Sequence, residues 1–211
     1  MARGLFITFE GIDGCGKSTQ VEYAHRGLEK DGIAHIVTRE PGGTPLAERI
    51  RGLLLSPENA EMTGTCEVLL YLASRAQHVA EKVVPALEQG MVVLCDRFAE
   101  ATFAYQGYGR GFGLEALENL NEFATSGMRP DRTFIFDVSL EVSRARLLAS
   151  GKPLDRLESN AADFHARVRE GYRALAARDR ERVEVLSGED RPELVGQQVY
   201  RSISQLIVDR G

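Results

Sequence analysis

Leu5-Phe6-Ile7-Thr8-Phe9-Glu10 runs directly into Gly11-Ile12-Asp13-Gly14-Cys15-Gly16-Lys17-Ser18-Thr19, and a helical pattern follows from Gln20 to Lys30, closed by Asp31-Gly32. The first six residues are mostly apolar and β-favouring, so a strand is expected there. Residues 11 to 18 fit G-x-x-x-x-G-K-[ST], the phosphate-cradling P-loop. Its glycines let backbone N–H groups turn inward as an anion nest, at the positive end of the helix that follows. In this reading Gly11, Ile12, Asp13, Gly14, Cys15, Gly16, Lys17, Ser18 and Thr19 hold ATP. Lys17 reaches the outer phosphates and Ser18 offers an oxygen ligand to Mg²⁺. The strand before the motif and the helix after it argue against a chance match.

Working outward, His35-Ile36-Val37-Thr38 reads as a second strand, broken by Arg39-Glu40-Pro41-Gly42-Gly43-Thr44. Thr44 can cap a helix through about Leu55. A core-facing stripe from Val68 to Leu87 predicts a long helix over about Thr65 to Glu88, with Pro85 marking a kink or end near Val84. Met91-Val92-Val93-Leu94-Cys95 is short and continuously apolar, as strands buried on both faces are. A glycine- and aromatic-rich stretch, Phe98 to Gly113, precedes a helix over Leu114 to Ala124. Arg132 to Asp137 and Arg182 to Leu186 complete the strands, and helices are expected over Ser139–Leu148, Ala161–Arg180 and Pro192–Val208. Strands alternating with helices mean an α/β fold, a parallel sheet flanked by helices on both faces. With no repeat, linker or low-complexity segment, residues 1–211 read as one domain.

Composition narrows the function. A net charge of −5 argues against binding to a nucleic acid polymer. No apolar run reaches membrane-spanning length and no leader peptide is evident, so a cytoplasmic location without membrane association is expected. Cys15, Cys66 and Cys95 lack C-x-x-C spacing, and the four histidines lack ligand spacing, which argues against a zinc site.

In open parallel sheets ligands bind beyond the carboxyl ends of the strands. Three loops converge there: the P-loop, Arg39-Glu40, and Asp96-Arg97. Asp96 has the position of the carboxylate that assists Mg²⁺, together with Ser18. Arg39 and Arg97 suggest a clamp for a second phosphate besides those of the triphosphate. That pattern points to γ-phosphoryl transfer from ATP to a phosphate acceptor. Such an acceptor is already anionic, so positioning and charge neutralisation suffice and no general base is needed. The P-loop carries no arginine to stabilise the moving group. The charged insert Lys152 to Arg156 supplies one, and a mobile segment over about 149–160 carrying Arg156 would act as a lid that excludes water.

The chain resembles the thymidylate kinase family over nearly its full length. The resemblance rests on Phe9 to Thr19, Thr38-Arg39-Glu40-Pro41-Gly42-Gly43-Thr44, Asp96-Arg97-Phe98, Tyr105-Gln106-Gly107 with Gly109-Arg110-Gly111, Arg129-Pro130-Asp131, and Leu154-Asp155-Arg156-Leu157-Glu158. It implies a P-loop nucleoside monophosphate kinase fold, phosphorylation of dTMP to dTDP by ATP with Mg²⁺, and a homodimer. It further implies that Asp13 approaches the acceptor, that Arg97 with the Arg39 loop holds its phosphate, that Tyr71 stacks on thymine and that Arg75 hydrogen-bonds the base. Thr102, Tyr105 and Gln106 fall where the family reads thymine and crowds the 2′ position; Glu40 and Glu158 complete the acceptor set. Lys17, Asp96, Arg97 and Arg156 are the catalytic set, with Arg156 in the lid as in the bacterial-type group. One departure concerns adenine: Ser150 precedes the lid Gly151 where many members have arginine, and Arg146 or Lys152 is left to compensate.

The rival readings are another P-loop nucleotide or deoxynucleoside kinase, and a P-loop switch. A guanine-nucleotide switch needs N-K-x-D, and no asparagine here is followed by lysine. Leu186-Ser187-Gly188 hints at a transporter ATPase signature but continues with Glu189.

Overall fold

Strands β1 (Phe6–Glu10), β2 (His35–Arg39), β3 (Val92–Asp96), β4 (Arg132–Asp137) and β5 (Val183–Ser187) form one sheet in the order β2-β3-β1-β4-β5, every neighbouring pair parallel. The structure, a computed structural model, describes residues 3–151, 155–158 and 160–210. Lys152, Leu154 and the rest of the expected lid between Gly151 and Asp155 lie outside the described residues, as does Ser159.

All five residues of β1 are buried. Its alternate side chains enter different clusters, as the pleat requires. Phe6 joins Val93, Cys95, Val79, Val83, Leu87 and Phe98. Ile7 and Phe9 join Leu94, Val21, Leu28 and Val199. The edge strands are wetter: Val37 of β2 and Val185 of β5 are exposed.

The helices are α1 (Lys17–Lys30), α2 (Pro45–Leu55), α3 (Gly64–His78), α4 (Val84–Glu88), α5 (Ala99–Thr102), α6 (Leu114–Thr125), α7 (Leu140–Ala149), α8 (Ala162–Arg178) and α9 (Pro192–Arg210). Thr44 caps α2 and Ser139 caps α7 through their side chains, as expected. Among the described residues no helix is long and apolar enough to cross a membrane.

Two stretches refine the sequence expectations. The single helix foreseen over about 65–88 is divided by a π-helical turn at Val79–Val83, whose closing bond runs from the Val84 N–H to the Val79 carbonyl. Pro85 has no N–H to continue an α-helical ladder and would clash with the carbonyl four residues back. The wider turn before it relieves that conflict and restarts the helix at Val84. Residues 98–113, assigned no regular element from sequence, are largely helical: α5 continues into a π-helical segment, Phe103–Gly109, packed along α8.

The strand order places the site. The connection leaving β1 leads toward β2, whereas the one leaving neighbouring β3 leads toward β4. The loops after these two strands diverge, and the crevice between them is where such sheets bind ligands.

Candidate active site

The P-loop occupies the turn from β1 into α1. Gly11, Gly14 and Gly16 all have φ between 75° and 132°, a region costly for any residue with a Cβ. Lys17 is buried, its Nζ 2.9 Å from the Gly11 carbonyl oxygen and 3.0 Å from that of Ile12. The ammonium is thereby folded back onto the P-loop backbone. Ser18 Oγ donates to Asp96 Oδ2 at 3.2 Å, across the β1–β3 crevice. A hydroxyl and a carboxylate side by side are hard oxygen donors, a set that fits Mg²⁺.

Arg97, directly after β3, is the structural hinge of the site. Its Nη1 donates to the Gly11 carbonyl and to the Tyr172 hydroxyl, both at 3.0 Å. Its Nη2 donates to Asp13 Oδ1 at 2.5 Å and to the Tyr105 hydroxyl at 3.2 Å, while Tyr105 donates to Asp13 Oδ2 at 2.8 Å. Burial disfavours the Asp13 carboxylate, but the charges of Arg97 and Lys17 outweigh it and hold Asp13 well below the usual carboxylate range. One arginine thus ties the P-loop to the floor of a neighbouring cleft.

That cleft is lined by Asp13, Glu40, Tyr71, Arg75, Arg97, Thr102, Tyr105 and Gln106, so eight of the ten expected acceptor residues meet in one place. Arg75 is 1% exposed and packs its guanidinium 5.1 Å from the Phe98 ring centroid. Its Nε donates to Glu40 at 2.7 Å, Nη1 to Asn121 at 2.9 Å, and Nη2 to the Phe98 carbonyl and Thr102 at 2.8 and 3.0 Å. Four of a guanidinium's five donors are used inside the protein, which leaves one N–H on Nη1 for the cleft. Glu40 is also bonded to His78 Nδ1 at 2.8 Å, and His78 Nε2 lies 2.8 Å from Thr38 Oγ1. Burial raises the Glu40 pKa, but Arg75 and His78 win and the net shift is downward.

The other two expected acceptor residues lie apart from this cleft. Arg39 is exposed, paired with Glu48 at 3.0 Å, and faces the open groove that Ser18 and Asp96 also line. Arg51 of α2 takes a place in the cleft instead, anchored by a 2.9 Å bond from Nη1 to the Pro41 carbonyl. Glu158 accepts the Asp155 N–H at 2.9 Å and lines an adjoining apolar groove with Asp13, Leu147 and His165. Burial, then the nearby Asp155 and Asp13 charges, raise its pKa.

Arg156 is not over the P-loop. Its Nη2 lies 2.5 Å from Glu67 Oε2, and its Nε donates to the Leu54 carbonyl at 2.8 Å. Glu67, fully buried on α3, also accepts from Arg110 twice, at 2.6 and 2.8 Å, and from Gln106 at 2.8 Å. Arg146, one of the two candidates for the missing adenine arginine, donates from Nη1 to the Gly14 and Gly188 carbonyls at 3.2 and 2.9 Å. It fastens the P-loop to the loop after β5; Lys152 lies outside the described residues.

A five-stranded parallel sheet with a P-loop after β1 and Asp96-Arg97 beside it at the end of β3 is the arrangement of a P-loop nucleotide kinase fold. The thymidylate kinase family model matches residues 9–199. The chain is 45% identical to the thymidylate kinase of Pelotomaculum thermopropionicum over 205 residues, 97% of this chain and 95% of the relative. It is 50% identical to that of Carboxydothermus hydrogenoformans over 191 residues, 90% and 92% of the two chains. The crystal structure of thymidylate kinase from Ehrlichia chaffeensis superposes with a TM-score of 0.77 at 33% identity, covering 96% of this chain and 99% of the other. The chain belongs to the thymidylate kinase family, whose reaction is ATP-dependent phosphorylation of dTMP.

Proposed function

We propose that the residues gathered around the β1–β3 crevice carry out direct phosphoryl transfer between two nucleotides within one domain, with a lid over about 149–160. A phosphate oxygen of dTMP attacks the γ-phosphorus of ATP, the bond to the β,γ-bridging oxygen breaks, and dTDP and ADP leave. The attacking oxygen is already ionised, so no side chain has to remove a proton. The single observation that supports this reading is Arg97, bonded at once to Gly11 and Asp13 of the P-loop and to Tyr105 of the cleft.

Residues 11–19 take the ATP phosphates, with Lys17 neutralising the outer ones. Ser18 and Asp96 would hold Mg²⁺, which supplies charge neutralisation on the phosphate oxygens when bound. Arg97 and Arg51 take the acceptor phosphate, and Asp13 and Glu158 border the sugar. Tyr71 stacks on the base, while Arg75, Thr102, Tyr105 and Gln106 fix its polar edge and the crowding at the 2′ position. Arg156 supplies the charge for the moving phosphoryl group after leaving Glu67. In a coupled ADP-release assay across dTMP, dUMP, dCMP, UMP and thymidine, strong preference for dTMP is expected. Equal turnover of UMP or thymidine would sink the acceptor assignment.

We further propose a cytoplasmic homodimer. Its substrates and three free cysteines suit a reducing compartment. Leu69 of α3 and Leu120 and Phe123 of α6 are exposed, Phe123 at 88%, and α3 packs beside α6. Such outward apolar side chains are suited to a second copy of the chain. Light scattering should return twice the 23.3 kDa chain mass, and Phe123→Glu should shift the population toward monomer. A wild-type chain that stays monomeric at assay concentrations would refute the dimer.

A further inference from the structure

We propose that Glu10, through the Phe98 peptide and the Tyr172 hydroxyl, is a positioning residue that sets the geometry of Arg97. The inference rests on the reading of Arg97 as the acceptor-phosphate clamp.

Glu10 ends β1 and is fully buried. A carboxylate there is costly unless its oxygens are bonded. Oε1 accepts the Phe98 N–H at 2.6 Å and Oε2 accepts the Tyr172 hydroxyl at 3.0 Å. Both bonds act on Arg97. The Arg97 N–H pairs with the Phe9 carbonyl at 2.9 Å, and its φ is 72°, a left-handed value that is uncommon for a residue with a side chain. By taking the next N–H in the chain, Glu10 anchors the turn that this conformation creates. Tyr172, reaching in from α8, has one hydroxyl proton. With that proton given to Glu10, the oxygen presents lone pairs to Arg97 Nη1, 3.0 Å away. Glu10 therefore holds the arginine from its backbone and from its guanidinium.

The arrangement works against stability. Burial, then the charge of Glu100, push the Glu10 carboxyl up from 4.5 to about 7, against the opposing influence of Arg97, Phe98 N–H and Tyr172. Cys95 of β3 also lies within its field. A raised carboxyl pKa means stability is full below about pH 4.5 and declines as the pH rises through about 7.

The test is steady-state kinetics with dTMP varied at saturating ATP, on Glu10→Gln, Glu10→Ala, Tyr172→Phe and, as a control, Arg97→Ala. Glu10→Ala should raise the dTMP KM about tenfold, and Glu10→Gln and Tyr172→Phe about threefold, with ATP KM unchanged and kcat altered far less. At pH 8 Glu10→Gln should melt at or above the wild-type temperature, the opposite of what loss of a merely structural residue does. An unchanged dTMP KM in folded Glu10→Gln and Tyr172→Phe overturns the inference while Arg97→Ala still weakens dTMP. If Arg97→Ala also leaves the dTMP KM unchanged, the clamp reading falls with it. Should Glu10→Ala not fold, the other two variants decide.

Discussion

Arg97→Ala is expected to weaken dTMP by about two orders of magnitude in KM, with ATP affinity nearly kept. Removing one member of a hydrogen-bonded, largely desolvated charge pair costs about 2–5 kcal/mol, much of it from the partner left behind. Here the partner is Asp13, held ionised by Arg97 and Lys17 and positioned at the rim of the same cleft. Without the guanidinium, an incoming phosphate would meet a bare carboxylate rather than a clamp. The loss should therefore be strongly non-additive with change at Asp13. Asp13→Asn made in the Arg97→Ala background should recover part of the dTMP affinity, although alone it loosens the arginine. Binding of dTMP measured by calorimetry reads this directly. An Arg97→Ala protein with wild-type dTMP affinity would remove the arginine from the acceptor site.

What could be read from sequence divides along physical lines. β1, the P-loop and α1 are legible because their signals are local: an apolar run, glycines in a phosphate-loop spacing, and a helical period from Gln20, although the helix itself starts three residues earlier at Lys17. The parallel sheet follows from alternation alone. Arg97 and Asp96 are legible because a charged pair at the end of a buried strand has few other reasons to be there. Arg51, Glu67, Asn121 and Tyr172 are not, because their meaning comes from partners far along the chain. Tyr172 meets Glu10 across a separation of 162 residues, and Arg75 meets Asn121 across 46. Nothing in Ala47 to Leu55 distinguishes Arg51, which enters the cleft, from Arg49, two positions away. Arg39 illustrates the converse. Its sequence neighbourhood points to the acceptor, yet a nearby helix offers Glu48, and the pair settles on the Ser18–Asp96 side. The π-helical turns are similarly hidden, since Pro85 announces a conflict in the helix but not how the chain resolves it.

Arg156→Ala is expected to lower kcat by about three orders of magnitude while dTMP KM changes little, on the scale set by arginines that stabilise a transferring phosphoryl group. The resting position of Arg156 makes this a demanding prediction, because its guanidinium is on Glu67 rather than at the P-loop. Two features make departure inexpensive. Arg110 grips both oxygens of Glu67 and Gln106 binds one, so the carboxylate does not become an unpaired buried charge when Arg156 leaves. The triphosphate offers the arginine denser negative charge and a bidentate partner in exchange. Glu67→Gln should consequently lower kcat far less than Arg156→Ala does, since it loosens the resting contact together with the Arg110 and Gln106 bonds on the same carboxylate but leaves the Arg156 charge in place. Single-turnover measurements with both nucleotides saturating separate this step from product release. If Arg156→Ala instead raises the dTMP KM at unchanged kcat, the arginine acts on acceptor binding from its resting place on Glu67 and the Leu54 carbonyl. The charge on the moving phosphoryl group would then come from Lys17 and Arg97.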